Sequence, residues 1–167
     1  MAISKIVTNS VDSGVTLTSP VINTITSAAA TALTLQSAGT TAVTIDTSQN
    51  VLVTSPAGLG YGTGSGGTVT QATSKATAVT LNKPTGQITM NNAALLPATS
   101  VTFSVSSSVI LVGDTIILAS PAYGLNYRLE CSSVGAGIFY IRVTNVSAGS
   151  LSEALVITYT MIRGSTS

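Results

Sequence analysis

Between residues 139 and 144 apolar and polar side chains alternate one for one, with Phe139, Ile141 and Val143 set against Tyr140, Arg142 and Thr144. Leu155, Ile157, Tyr159 and Met161 repeat the pattern near the C-terminal end. A period of two places each set on one face of a strand, so one face turns inward and the other meets solvent or a neighbouring subunit. The same signal predicts strands over Thr68 to Gln71, Ala78 to Leu81, Gln87 to Met90, Val101 to Val105, Asp114 to Ala119, Asn126 to Ser132, Gly137 to Val146 and Glu153 to Ile162. Short strands at this spacing, separated by Gly, Pro, Asn and Ser, predict an all-β C-terminal domain over 68–167: an antiparallel β-sandwich, jelly-roll-like. Asn91 to Thr99 has room for one helical turn, which Pro97 stops.

The N-terminal pattern is thinner. Met1 to Asn9 reads as an extended tail that needs a partner to be ordered. Val15 to Thr18 alternates, Pro20 interrupts, and Val21 to Ile25 resumes, which predicts strand, break, strand. Ser27 to Thr31 is too short to hold a helical turn alone. A small repeat follows: Ala32-Leu-Thr-Leu-Gln-Ser-Ala-Gly aligns with Ala42-Val-Thr-Ile-Asp-Thr-Ser-Gln, and Val51-Leu-Val is a weaker third member. Leu33 with Leu35, Val43 with Ile45, and Val51 with Val53 then form narrow stripes, each two residues long. A unit of this size hides its apolar stripe only against neighbours. These six residues are therefore the expected intersubunit contacts of an extended, intertwining arm over 1–57. A hairpin lying on the C-terminal domain is the alternative.

Between the two patterns lies Gly58-Leu-Gly-Tyr-Gly-Thr-Gly-Ser-Gly-Gly67, which holds six of the chain's fifteen glycines. Its backbone freedom suits a flexible or sharply turning connector, so 58–67 is read as a joint.

Composition sharpens the picture by what it excludes. Charged residues make up 7% of the 167-residue chain, against roughly 25% in ordinary soluble domains. Six basic and five acidic residues leave a net charge of +1 with no basic cluster, which argues against nucleic acid and anionic membrane as partners. Low charge also leaves strand edges unguarded, so a homo-oligomer is expected. Met1 to Pro20 lacks the apolar core of a signal peptide, and no run of about eighteen apolar residues is present to span a bilayer. The chain is thus expected to be made in a cytoplasm.

Candidate chemistry is sparse. The chain has no histidine, which removes Ser-His-Asp and Cys-His nucleophile systems and every His-bearing zinc site. The single cysteine, Cys131, cannot form an intramolecular disulfide, and on a strand face with Leu129 it reads as a buried, inert thiol. Gly62, Gly64 and Gly67 fit G-x-G-x-x-G, but a β-branched strand follows where a phosphate-binding helix belongs. After the joint the carboxylates are Asp114, Glu130 and Glu153. Asp114 after Gly113 reads as a turn residue and the two glutamates as solvated positions, without the facing pair that glycoside hydrolysis needs. Asp12 and Asp46 are too isolated for calcium. Asn145-Val-Ser is a glycosylation sequon without a secretory route. No enzyme activity, cofactor or metal is expected.

Ala32 to Val51, A-L-T-L-Q-S-A-G-T-T-A-V-T-I-D-T-S-Q-N-V, resembles the short repeats of bacteriophage tail-fibre and virion surface proteins. Gly58 to Met90, with its glycine run, Thr-Val-Thr-Gln and Gly-Gln-Ile-Thr-Met in that order, resembles a module found at or near the C-terminus of many phage structural proteins. What the resemblance implies is a virion structural protein, usually trimeric, without enzymatic activity or cofactor. Two readings follow within that frame. One is a capsid decoration or cement protein on the head surface, a homotrimer whose partner is the major capsid protein, with host cytoplasm as its site of assembly. The other is a tail-fibre or spike component that touches the host, for which a glycan site would lie around Tyr123, Tyr127 and Arg128; packing of these residues in a loop against the sheet is the favoured reading of the three. Strands stack about 4.8 Å apart, so two or three ten-residue units raise only a short stem, which favours the surface clamp.

Overall fold

The structure, a computed structural model, describes residues 30–53, 58–122 and 125–165. The expected tail over 1–9, the strands at Val15 and Val21, Asp12 and Tyr123 lie outside the described residues, as does most of the Ser27 to Thr31 stretch. The described residues form eleven strands and no helix. The chain divides between Leu59 and Gly60, inside the glycine run, into two compact units.

The first unit is a meander of β1 (Leu33–Ser37), β2 (Thr40–Ile45) and β3 (Val51–Val53), paired antiparallel in that order. Ala38 and Gly39, at φ of 50° and 75°, close a two-residue hairpin between β1 and β2. The Asp46 carboxylate shapes the next turn by accepting the N–H groups of Ser48 and Asn50, with Gln49 at a φ of 69°. The two best copies of the sequence repeat thus pair with each other within one chain.

The second unit holds β4 (Thr68–Thr70), β5 (Val79–Thr80), β6 (Thr85–Thr89), β7 (Ser100–Ser106), β8 (Thr115–Ala119), β9 (Tyr127–Gly135), β10 (Ile138–Asn145) and β11 (Val156–Ile162). All eight fall on the predicted strands. They form two four-stranded sheets, β4-β6-β11-β8 and β5-β7-β10-β9. The sheets are mixed where antiparallel ones were expected, because β4 runs parallel to β6 and β5 parallel to β7. The reason lies in the connections. From β4 to β9 each successive strand enters the opposite sheet, so β4 and β6 become neighbours with β5 intervening in the other sheet, and β5 and β7 likewise. Only β9 and β10 form a hairpin.

Side chains from both sheets enter one apolar cluster. Phe139, Ile141 and Val143 arrive from β10, and Ile157, Tyr159 and Met161 from β11, all buried as their alternation predicts. The Phe139 and Tyr159 rings lie 5.2 Å apart and tilted by 56°, a favourable aromatic pairing. Tyr159 keeps its polar end satisfied by donating its hydroxyl to the Lys83 carbonyl at 2.8 Å, and burial pushes its pKa up to about 12. Gly86 lets this ring approach: a Cβ there would lie 3.0 Å from Tyr159 Cε1 and 2.5 Å from Leu81 Cδ2.

Loops are fastened by buried polar groups. Gln71 donates to the carbonyls of Lys75 and Thr77, and Lys75 Nζ donates to those of Asn91 and Glu153, both at 2.7 Å. Asn145, fully buried, donates to Leu95 O and Gly149 O while its Oδ1 accepts from Ser147. The expected helical turn at Asn91 to Thr99 does not form. Leu95 instead exchanges both main-chain bonds with Leu151, which a helix would have required for itself. The end of the glycine run is also tied down: Tyr61 donates to Met161 O, Lys83 Nζ to Gly64 O, and Gln87 N–H to Gly67 O.

Candidate functional site

The six residues expected to make intersubunit contacts lie on one face of the first unit. In the β1–β2 ladder Leu33 stands opposite Ile45 and Leu35 opposite Val43; in the β2–β3 ladder Ile45 stands opposite Val51 and Val43 opposite Val53. Directly opposed residues share a face. The result is two rows of three branched aliphatic side chains, Leu33-Ile45-Val51 and Leu35-Val43-Val53. The register shift after Leu35 lies toward the hairpin turn, beyond the six, and leaves both rows intact. The opposite face carries the row Thr34-Thr44-Leu52.

This apolar face is poorly covered. Val51 keeps 66% of its surface exposed and Leu35 53%, whereas Leu33 and Val43 are half-buried. It carries no charge. Asp46 is the only ionisable side chain between residues 30 and 53, and its carboxylate is turned into the β2–β3 turn. The Asn50 side-chain amide, helped by main-chain N–H groups, holds that carboxyl below the usual carboxylate range. A face of this kind supports association by burial and has no group suited to bond making or breaking.

The remaining carboxylates have separate settings. Asp114, with its side chain fully buried, accepts from Leu111 N–H, Gly164 N–H and Arg163 Nη1. Glu130 faces outward on β9 and pairs with Arg128 at 3.3 Å. Glu153 lies in the loop before β11. Among the described residues no three His, Cys, Asp or Glu side chains gather as metal ligands would. Cys131 sits half-buried, and burial pushes its thiol pKa up, away from the thiolate that reactivity needs.

Of the residues around which the alternative glycan site was drawn, Tyr123, Tyr127 and Arg128, Tyr127 follows the favoured packing reading. Tyr127 is 4% exposed, because its place at the start of β9 turns it into the shared core. Tyr123 lies outside the described residues. Arg128 alone of the three is shown at the surface, paired with Glu130. Lys75 and Asn145 fasten loops, roles that the sequence signals only as a lone lysine and a sequon. Comparison of the chain with protein-family models, with curated proteins and with solved structures finds no match in any of the three.

Proposed function

We propose that this chain is a bacteriophage capsid decoration, or cement, protein that works as a homotrimer bound to the major capsid protein. The observation that carries this reading is the exposed, uncharged face of Leu33, Leu35, Val43, Ile45, Val51 and Val53, over which the described residues of its unit lay no second sheet. Three such faces packed together bury what one chain leaves in water, at about 25 cal/mol per Å² of apolar surface. The two four-stranded sheets are read as the layers of a β-sandwich, jelly-roll-like in that successive strands alternate between layers. Each shell boundary bridged by a bound trimer adds free energy that expansion of the shell must overcome.

Low charge gives this mechanism a signature. Contacts made by aliphatic burial are not screened, so binding to capsids should persist as salt rises. The testing experiment is the molar ratio of this protein to the shell protein in purified virions, by densitometry or mass spectrometry. A high, constant ratio is expected. A handful of copies per particle would assign the chain to a tail fibre or spike and end the clamp reading.

A further inference from the structure

The second unit has its own concentration of exposed apolar side chains, at one end of the β8–β11 pair. Ile117 on β8 and Ile162 on β11 face outward, with Ile117 opposite Thr160 and Ile162 opposite Thr115. The turn carrying Leu111 and Val112 leads into β8 at the same end. It is clamped there by the buried Asp114 carboxylate, which binds Leu111 N–H, Arg163 and Gly164 N–H together. Gly164 runs so close to the Gly113 carbonyl that a Cβ would overlap it. Tyr61 joins from the other side through its bond to Met161 O. All five side chains, Tyr61, Leu111, Val112, Ile117 and Ile162, keep between 45% and 60% of their surface in water. The clamp fixes this corner in advance, so little ordering entropy remains to be lost on association.

The surrounding face selects the occupant. On the outward side of β4-β6-β11-β8 stand Thr, Ile, Val, Ala and Gln, without one charged residue. The outward side of β5-β7-β10-β9 carries Arg128, Glu130 and Arg142. Gathering copies about a common axis brings identical groups together, and identical charges repel where identical aliphatic groups do not. The two cations near the corner are both engaged: Arg163 with Asp114 and the Val109 carbonyl, Lys83 with the Gly64 carbonyl. A partner for this surface has to be uncharged and apolar, and a second copy of the same surface meets that requirement.

We propose that the corner of Tyr61, Leu111, Val112, Ile117 and Ile162 is a self-association surface, occupied by the same corner of other copies around a common axis. The inference rests on the homotrimer reading and adds a second contact to it, independent of the arm face. The test measures the mass of the full chain across a concentration series by analytical ultracentrifugation and native mass spectrometry. The double variant I117D/I162D should weaken association at least about tenfold with an unchanged far-UV circular dichroism spectrum. Arg142→Asp, on the charged face, should leave association unchanged.

If I117D/I162D does not fold, Ile162→Thr takes its place, since threonine already fills most of this face, and a weakening of about threefold is expected. Unchanged association of the folded variant overturns the proposal. If the arm-face variant L35D/V53D then dissociates the oligomer, the trimer reading survives without the corner. A wild-type chain that stays monomeric overturns both. Retained mass with lost binding to capsids also overturns the proposal, and assigns the corner to the shell protein.

Discussion

The three-stranded sheet of residues 33–53 and the two four-stranded sheets after Gly60 use nearly the same residues, threonine alternating with valine, leucine and isoleucine. They differ in what covers their apolar faces. Every buried apolar side chain among the described residues lies in the second unit, where two sheets share one cluster around Phe139 and Tyr159. The described residues of the first unit form one sheet, which leaves Leu35 and Val51 more than half exposed. Strand pattern alone therefore does not make a core. A second sheet contributing to the same apolar cluster does, together with large side chains such as Phe139 and Tyr159 to fill it.

The contrast can be broken most forcefully at Phe139. Phe139→Ala should destabilise the second unit by about 3–5 kcal/mol, read from urea unfolding, because a fully buried ring leaves a cavity between the sheets. Lys75→Met should cost about 2–3 kcal/mol by the same measurement, since the carbonyls of Asn91 and Glu153 lose their donor inside the fold. Burial holds the Lys75 pKa below its usual value, with the nearby Glu153 opposing. Gly86→Ala should cost about 1–3 kcal/mol, because the new methyl meets Leu81, Tyr159 and the Gly67 carbonyl.

Acid sharpens the comparison from another side. The Leu111 N–H, with Gly164 and Arg163 and against burial, holds the Asp114 carboxyl below its ordinary value. A folded pKa below the unfolded one stabilises fully above about pH 4 and is lost as pH falls through the folded value. The melting temperature of the second unit should therefore drop as pH falls below about 4. In Asp114→Asn this part of the drop should disappear, and at neutral pH the variant should melt lower than wild type. The smallest effect belongs to the arm. Leu35→Ala should change unfolding of the chain by less than about 1 kcal/mol while weakening self-association, measured by ultracentrifugation.

Much of the strand content was legible because alternation is a local signal. Phe139 to Thr144 announces its own inward face without reference to anything distant. The same holds for the six arm residues, whose i and i+2 spacing put each pair on one side; their assembly into two rows needed only a hairpin register. What was not legible depends on contacts far apart in sequence. That β4 runs parallel to β6 follows from the crossing of β5 into the other sheet, which no stretch of 68–89 encodes by itself. Tyr127 could be read as a surface aromatic or, preferably, as packed against the sheet, and the register of β9 on β10 decided its face. Asn145 carried a sequon's appearance, and its use as a knot between loops depends on Leu95, half the unit away.

The placement of β11 has a consequence for how the molecule comes into being. It lies between β6 and β8 in the interior of its sheet, although it is the last strand of the described chain. Ile88 pairs with Ile157, so β6 leaves the ribosome long before its partner exists. Until then β6 and β8 lack the strand that joins them, and Ile88 has no covering ladder on that side. The nascent unit must wait, with threonine-rich edges open, and then close late and cooperatively through contacts of long sequence separation. Such topologies fold slowly and are exposed to mispairing in the interval. In a cell making many copies at once, the interval before β11 emerges is when neighbouring nascent chains are best placed to pair wrongly.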